Sequence, residues 1–182
     1  MITFVVHVEN KPGVLTRVAS LFRRRAYNIE SLTVGHTETA GVSRMTVVVD
    51  TNAEGAHHVE AHLYKLVNVL RVDNVTARPN VIRELALIKV STTARTRPEI
   101  FQLADVFRAR IIDVSNDSLV LELTGGAAKL DRLREVLEPY GVLEMARTGL
   151  LAMARGEGAA PTAREAIAGH IDEAQPDIAY SV

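Results

Sequence analysis

Ile2-Thr-Phe-Val-Val-His-Val-Glu-Asn-Lys-Pro-Gly-Val-Leu-Thr-Arg-Val-Ala-Ser-Leu-Phe22 changes its periodicity half-way, and that change sets the reading of the whole chain. Ile2 to Glu9 is β-branched and apolar enough for a buried strand. Asn10-Lys-Pro-Gly13 interrupts it, with Pro12 where a first helical turn tolerates a missing N–H. Val14, Leu15, Val18, Leu21 and Phe22 then recur at helical spacing, with Arg17, Arg23, Arg24 and Arg25 mostly off that face.

Working outward, Asn28 to Thr37 reads as a second strand, His36 to Gly41 as a polar turn and Val42 to Asp50 as a third strand, a hairpin with a loop longer than two residues. Asn52 is a candidate cap for a second helix whose buried stripe is expected at Val59, Leu63, Leu66 and Val67. Val69 to Ala77 closes the unit. The order is βαββαβ, the split βαβ or ferredoxin-like arrangement.

Pro79-Asn80 reads as a boundary, after which the same order recurs. Arg83 to Thr92 is expected as a strand. Pro98 opens a helix bearing Ile100, Leu103, Ala104, Val106 and Phe107. Ile111 to Val114 and Leu119 to Leu123 pair around Ser115 to Ser118. Leu130, Leu133, Val136 and Leu137 mark a further helix ending near Pro139 and Gly141, and Val142 to Leu151 supplies the last strand. The expectation is an α+β chain of two ferredoxin-like units at residues 1–78 and 79–155, followed by a tail at 156–182. In that tail Thr162 to Ala174 reads as a weak helix with a capping box at Thr162 and Glu165. Each unit is small and its sheet has open edges, so oligomerisation through an edge is the expected remedy.

The 182 residues carry a net charge of −1, so there is no general attraction to a phosphate backbone. Four Phe, four Tyr and no Trp leave no aromatic platform for stacking on bases. With no cysteine, disulfides and thiolate metal sites are ruled out. No apolar run suggests a membrane span, and no signal peptide is read at the N-terminus, so a cytoplasmic location is expected. His58 and His62 share a helical face, but Glu60 is misplaced for a zinc-protease helix and no third ligand is evident. Arg23 to Arg25 fit the solvated last turn of a helix. Neither a cysteine nucleophile, nor a Ser-His-acid arrangement, nor a motif with paired carboxylates is present, so no catalysis is expected on this chain.

Glu9-Asn-Lys-Pro-Gly-Val-Leu-Thr-Arg17, Tyr27-Asn-Ile-Glu-Ser-Leu-Thr-Val34 and Ser43-Arg-Met-Thr46 closely resemble the signatures of acetohydroxyacid synthase (acetolactate synthase) small regulatory subunits. Leu63-Tyr-Lys-Leu-Val-Asn-Val-Leu-Arg-Val72, Arg83-Glu-Leu85, Ile111-Ile-Asp-Val114 and Ala146-Arg-Thr-Gly149 extend the resemblance into both units, over residues 1–155. The resemblance implies an amino-acid-binding ACT domain first and a ferredoxin-like domain second. It also implies homodimerisation through the ACT sheets, with valine, leucine or isoleucine at the dimer interface as a feedback effector. The implied partner is a large catalytic subunit carrying thiamine diphosphate, magnesium and FAD, which condenses pyruvate with pyruvate or 2-oxobutyrate; no cofactor is expected on this chain.

A free amino acid needs donors for its carboxylate, acceptors for its ammonium and an apolar recess. The turn from Asn10 to Leu15 opens a helix whose first N–H groups lack intrahelical partners and favour an anion. Gly13 permits close backbone approach, and the amide of Asn10 can address either end of a zwitterion. By the resemblance, Asn28 contributes from the facing subunit, and Thr33 and Gly35 match positions of the regulatory region. For Val14, Leu15 and Ile29, core packing and ligand contact are both open. A different class of function, an amino-acid-responsive module acting on transcription or RNA, shares this fold type, but neither a helix-turn-helix nor aromatic strand motifs are seen.

Overall fold

A computed structural model of the chain describes residues 1–156. The predicted weak helix at Thr162–Ala174, with its capping box, lies outside the described residues. The chain divides into two compact units, one built on Met1–Val81 and joined by the chain that returns at Ala152, the other spanning Ile82–Leu151.

The first unit runs β1 (Ile2–Glu9), α1 (Val14–Arg24), β2 (Ile29–His36), β3 (Val42–Val49), α2 (Ala53–Leu63) and β4 (Val69–Asn74), with sheet order β2-β3-β1-β4. The neighbours pair antiparallel, so β1 and β2, both beside β3, run in the same direction and β2 is an edge. Phe4, Val6 and Val8 of β1 join Met45, Val47 and Val49 of β3 on the face that α1 and α2 cover. From the helices, Val14, Val18, Leu21 and Phe22 and then Ala56, Val59 and Leu63 complete this core. Asn52 caps α2, its Oδ1 accepting the Gly55 N–H at 2.8 Å.

The stripe predicted for the second helix needs correction at its end. The helix stops at Leu63, Leu66 packs on the core from the following turn, and Val67 is 79% exposed. The apolar spacing there continues past the last helical residue.

On the other face of this sheet, alternation alone would expect polar, solvated side chains. Instead Thr3, Val5, Thr46 and Val48 are buried, Thr46 to 1% exposure. The chain returning at Ala152 meets this face, where the Arg44 guanidinium donates to the Ala152 carbonyl and, at 3.1 Å, to Thr46 Oγ1. Arg44, His7 and Arg71 stand in one row across β3, β1 and β4. Arg71 pairs with Asp73 at 2.7 Å.

The second unit repeats the order as β5 (Asn80–Ser91), α3 (Arg97–Phe107), β6 (Arg110–Val114), β7 (Ser118–Gly125), α4 (Ala127–Leu137) and β8 (Val142–Arg147). Its sheet is ordered β6-β7-β5-β8, and a ninth strand, β9 (Leu151–Ala154), also pairs with β5. Ala86, Ile88 and Val90 of β5 meet Leu119, Leu121 and Leu123 of β7 under Ile100, Ala104, Leu130, Leu133 and Leu137. Arg97 ties the start of α3 to the β6–β7 turn through the carbonyls of Ser115 and Asn116. The single strand expected from Val142 to Leu151 is two, because Gly149 turns the backbone at φ +83° while the Thr148 hydroxyl engages the Leu85 N–H. Val106, one of the apolar residues borne by α3, is 77% exposed. Both units are thus ferredoxin-like, as the element order predicted. None of the helices among the described residues is long and apolar enough to cross a membrane.

His7 carries a consequence for stability. Its Nδ1 is buried with no hydrogen-bond partner, and burial first, then the charges of Arg71 and Arg44, hold its pKa below the ordinary 6.5. Asp73 and Glu38 offset part of this. As pH falls through 6.5 the unfolded chain takes up this proton before the folded one, so stability drops with acid. The urea midpoint of the wild-type chain is therefore expected to fall more between about pH 7.5 and about pH 5.5 than that of His7→Gln. An equal fall in both would remove His7 from this account.

Candidate effector site

The turn between β1 and α1 is held from two sides. The Asn10 N–H donates to the Gly41 carbonyl at 2.7 Å, anchoring it to the β2–β3 hairpin. On the other side a chain of polar contacts runs to the α2–β4 turn. Lys11 Nζ donates to Glu9 at 2.9 Å, the Asn68 amide donates to Glu9, and Arg17 donates to Asn68 Oδ1 at 2.6 Å. The Glu9 N–H closes this link on the Asn68 carbonyl at 2.9 Å. Loops fixed at both flanks present their donors in a defined direction without further ordering cost.

Within the turn, Gly13 adopts φ +82° and is the N-cap of α1, so Pro12 lies before the helix and not in its first turn as expected. No side chain caps this helix. The Val14 N–H reaches the Lys11 carbonyl at 3.3 Å and the Arg17 N–H the Gly13 carbonyl at 3.0 Å. Among the described residues the N–H groups of Leu15 and Thr16 have no recorded acceptor. Two adjacent unsatisfied donors at the positive end of a helix favour an anion. A shallow groove of about 410 Å³, lined by Leu15, Thr16, Ala19, Ser20 and Arg23, begins at the same turn. It offers apolar surface at Leu15 and Ala19.

The sequence-predicted residues separate into three groups. Asn10 and Gly13 are exposed in the turn, and the Asn10 amide Nδ2 lies 3.4 Å from His36 Nδ1. Val14 is buried to 4% in the core, whereas Leu15 next to it is 44% exposed beside the free donors. Asn28 and Ile29 lie elsewhere. The Asn28 amide is exposed and donates to Glu30, while Ile29 packs on the core at the first position of β2. The Asn10 turn is tied to the far end of that strand, at His36. The eight residues of β2 put the two asparagines on the order of 25 Å apart within one chain. His36 is the residue that sequence reading missed; its place at the end of a polar hairpin strand gave no signal until the register was known. Thr33 and Gly35 face the sheet side opposite the helices, across from Thr46 and Arg44.

Among the described residues, no group of three or more His, Asp or Glu side chains is placed to hold a metal ion. His62 instead approaches the Tyr27 hydroxyl at 3.5 Å.

Both units are similar to known proteins. Residues 4–71 match the model of the AHAS small subunit-like ACT domain, and residues 83–156 match that of the small subunit of acetolactate synthase. An acetolactate synthase small subunit of Bacillus subtilis is 52% identical over 152 residues, which is 82% of this chain and 87% of that one. One of Mycolicibacterium smegmatis is 47% identical over 154 residues, 85% of this chain and 91% of the other. A crystal structure of the acetolactate synthase small subunit from Thermotoga maritima superposes with a TM-score of 0.81 at 41% identity, covering 86% of this chain and 98% of that chain.

Gly13 offers a direct check on the turn. A Cβ there meets nothing within 4 Å, so any cost of Gly13→Ala comes from the left-handed backbone alone. That substitution is expected to lower stability by about 1–2 kcal/mol in chemical denaturation. Gly35→Ala, with open space and no positive φ, serves as the near-neutral control. Equal effects of the two would contradict the turn geometry.

Proposed function

The chain belongs to the acetolactate synthase small-subunit family, and on that premise we propose that it is a non-catalytic regulatory subunit that binds valine at an ACT dimer interface and controls a large catalytic subunit. The carboxylate of the effector takes the Leu15 and Thr16 N–H groups, and its ammonium takes Asn10. Leucine or isoleucine presents the same backbone groups and differs only in the recess. Thiamine diphosphate, magnesium and FAD belong, on this reading, to the catalytic partner.

The observation that carries the reading is the separation of Asn10 from Asn28 along an edge strand. Two copies related by a two-fold axis pair their β2 edges antiparallel. The beginning of one β2 then lies beside the end of the other, which brings Asn28 of the partner subunit to the Asn10 turn. Each chain thus holds two half-sites, and dimerisation makes two whole ones. The pairing also covers an exposed edge.

Regulation follows by linkage. An effector lodged between two subunits favours the dimer arrangement that fits it best, and a catalytic subunit sensitive to that arrangement changes activity by a coupling of about 1–3 kcal/mol. By reciprocity the catalytic subunit must alter the valine affinity of this chain.

A synthase assay of the catalytic subunit with and without this chain, across a valine titration, tests the proposal. Addition of the chain is expected to raise activity, valine to lower it again, and Asn10→Ala to shift the half-inhibitory concentration upward by about tenfold. An enzyme indifferent to the chain would refute the regulatory reading; unchanged inhibition in the mutant would remove Asn10 from the site.

A further inference from the structure

We propose that His36 is a positioning residue of the effector site, holding the Asn10 amide so that the site selects ligands with a free α-amino group. This rests on the reading of the β1–α1 turn as the effector site and adds to it the source of its polarity.

The backbone of Asn10 cannot adapt, because its N–H is committed to the Gly41 carbonyl at 2.7 Å. What remains free is the side-chain amide, which has two orientations of opposite polarity. His36 stands at the last position of β2, and its Nδ1 lies 3.4 Å from Asn10 Nδ2. A neutral ring with its hydrogen on Nε2 accepts from the amide through Nδ1. That contact turns the NH2 end of Asn10 toward the imidazole and leaves Oδ1, which has no recorded partner among the described residues, as an acceptor for the ligand. An ammonium then meets a carbonyl oxygen while the carboxylate meets the Leu15 and Thr16 N–H groups. The two ends of the zwitterion are told apart.

The test is calorimetric titration of the full chain with valine and with its hydroxy-acid analogue, which lacks the ammonium. Wild type is expected to prefer valine by about tenfold. His36→Ala, with nothing to hold the amide, is expected to bind both ligands and to lose most of that preference. If His36→Ala retains the wild-type preference while Asn10→Ala loses valine binding, the role of His36 is overturned and the site stands. If wild type binds neither ligand, both fall.

Discussion

Everything in the proposed mechanism depends on a helix that starts without a cap. Strand β1 is buried on both faces, so the chain leaving it must turn at the rim of the sheet. Gly13 makes that turn in a left-handed conformation and hands the chain directly to α1. No side chain then satisfies the first N–H groups, although Ser, Thr, Asn and Asp, the usual capping residues, would do so at a gain of about 1 kcal/mol. The Asn68–Glu9–Lys11 contacts and the Asn10–Gly41 bond hold this unsatisfied end rigid. In the proposed mechanism these bare donors are completed by the ligand.

The second constraint on the proposed mechanism is that the two asparagines lie far apart: Asn10 contacts the last residue of β2, and Asn28 immediately precedes its first. In that mechanism a second copy brings both to one small molecule, so effector binding and subunit arrangement become a single equilibrium. The second unit repeats the fold without repeating the turn. Its first helix follows Thr96, with Thr93 and Thr96 bonded to each other, and carries Pro98 in its first turn, where the proline removes one of the N–H donors.

Much of this was legible in the sequence because both periodicities were clean. The 2-residue and 3.6-residue patterns placed the twelve elements of the two βαββαβ units in order, and Asn52 announced its helix. What periodicity could not show was coverage by distant chain. Thr46 looks like a solvent-facing strand position until the chain returning at Ala152 is seen on that face. Val67 and Val106 fit an apolar spacing yet lie on exposed surface, since spacing marks a face without saying whether anything packs on it. At the candidate site, the turn at Asn10 and Gly13 was legible from its residue types, while its link to a ligand came only with the family resemblance. His36 was not, because its contact with Asn10 spans 26 positions and follows from strand register.

The central claim is that the open N–H groups at the start of α1 grip the effector. Amide hydrogen exchange resolved by residue, with and without saturating valine, addresses those groups directly. The account predicts that protection rises at Leu15 and Thr16 more than anywhere in α2 or in the second unit. Protection that leaves these two amides unchanged while appearing elsewhere would contradict it.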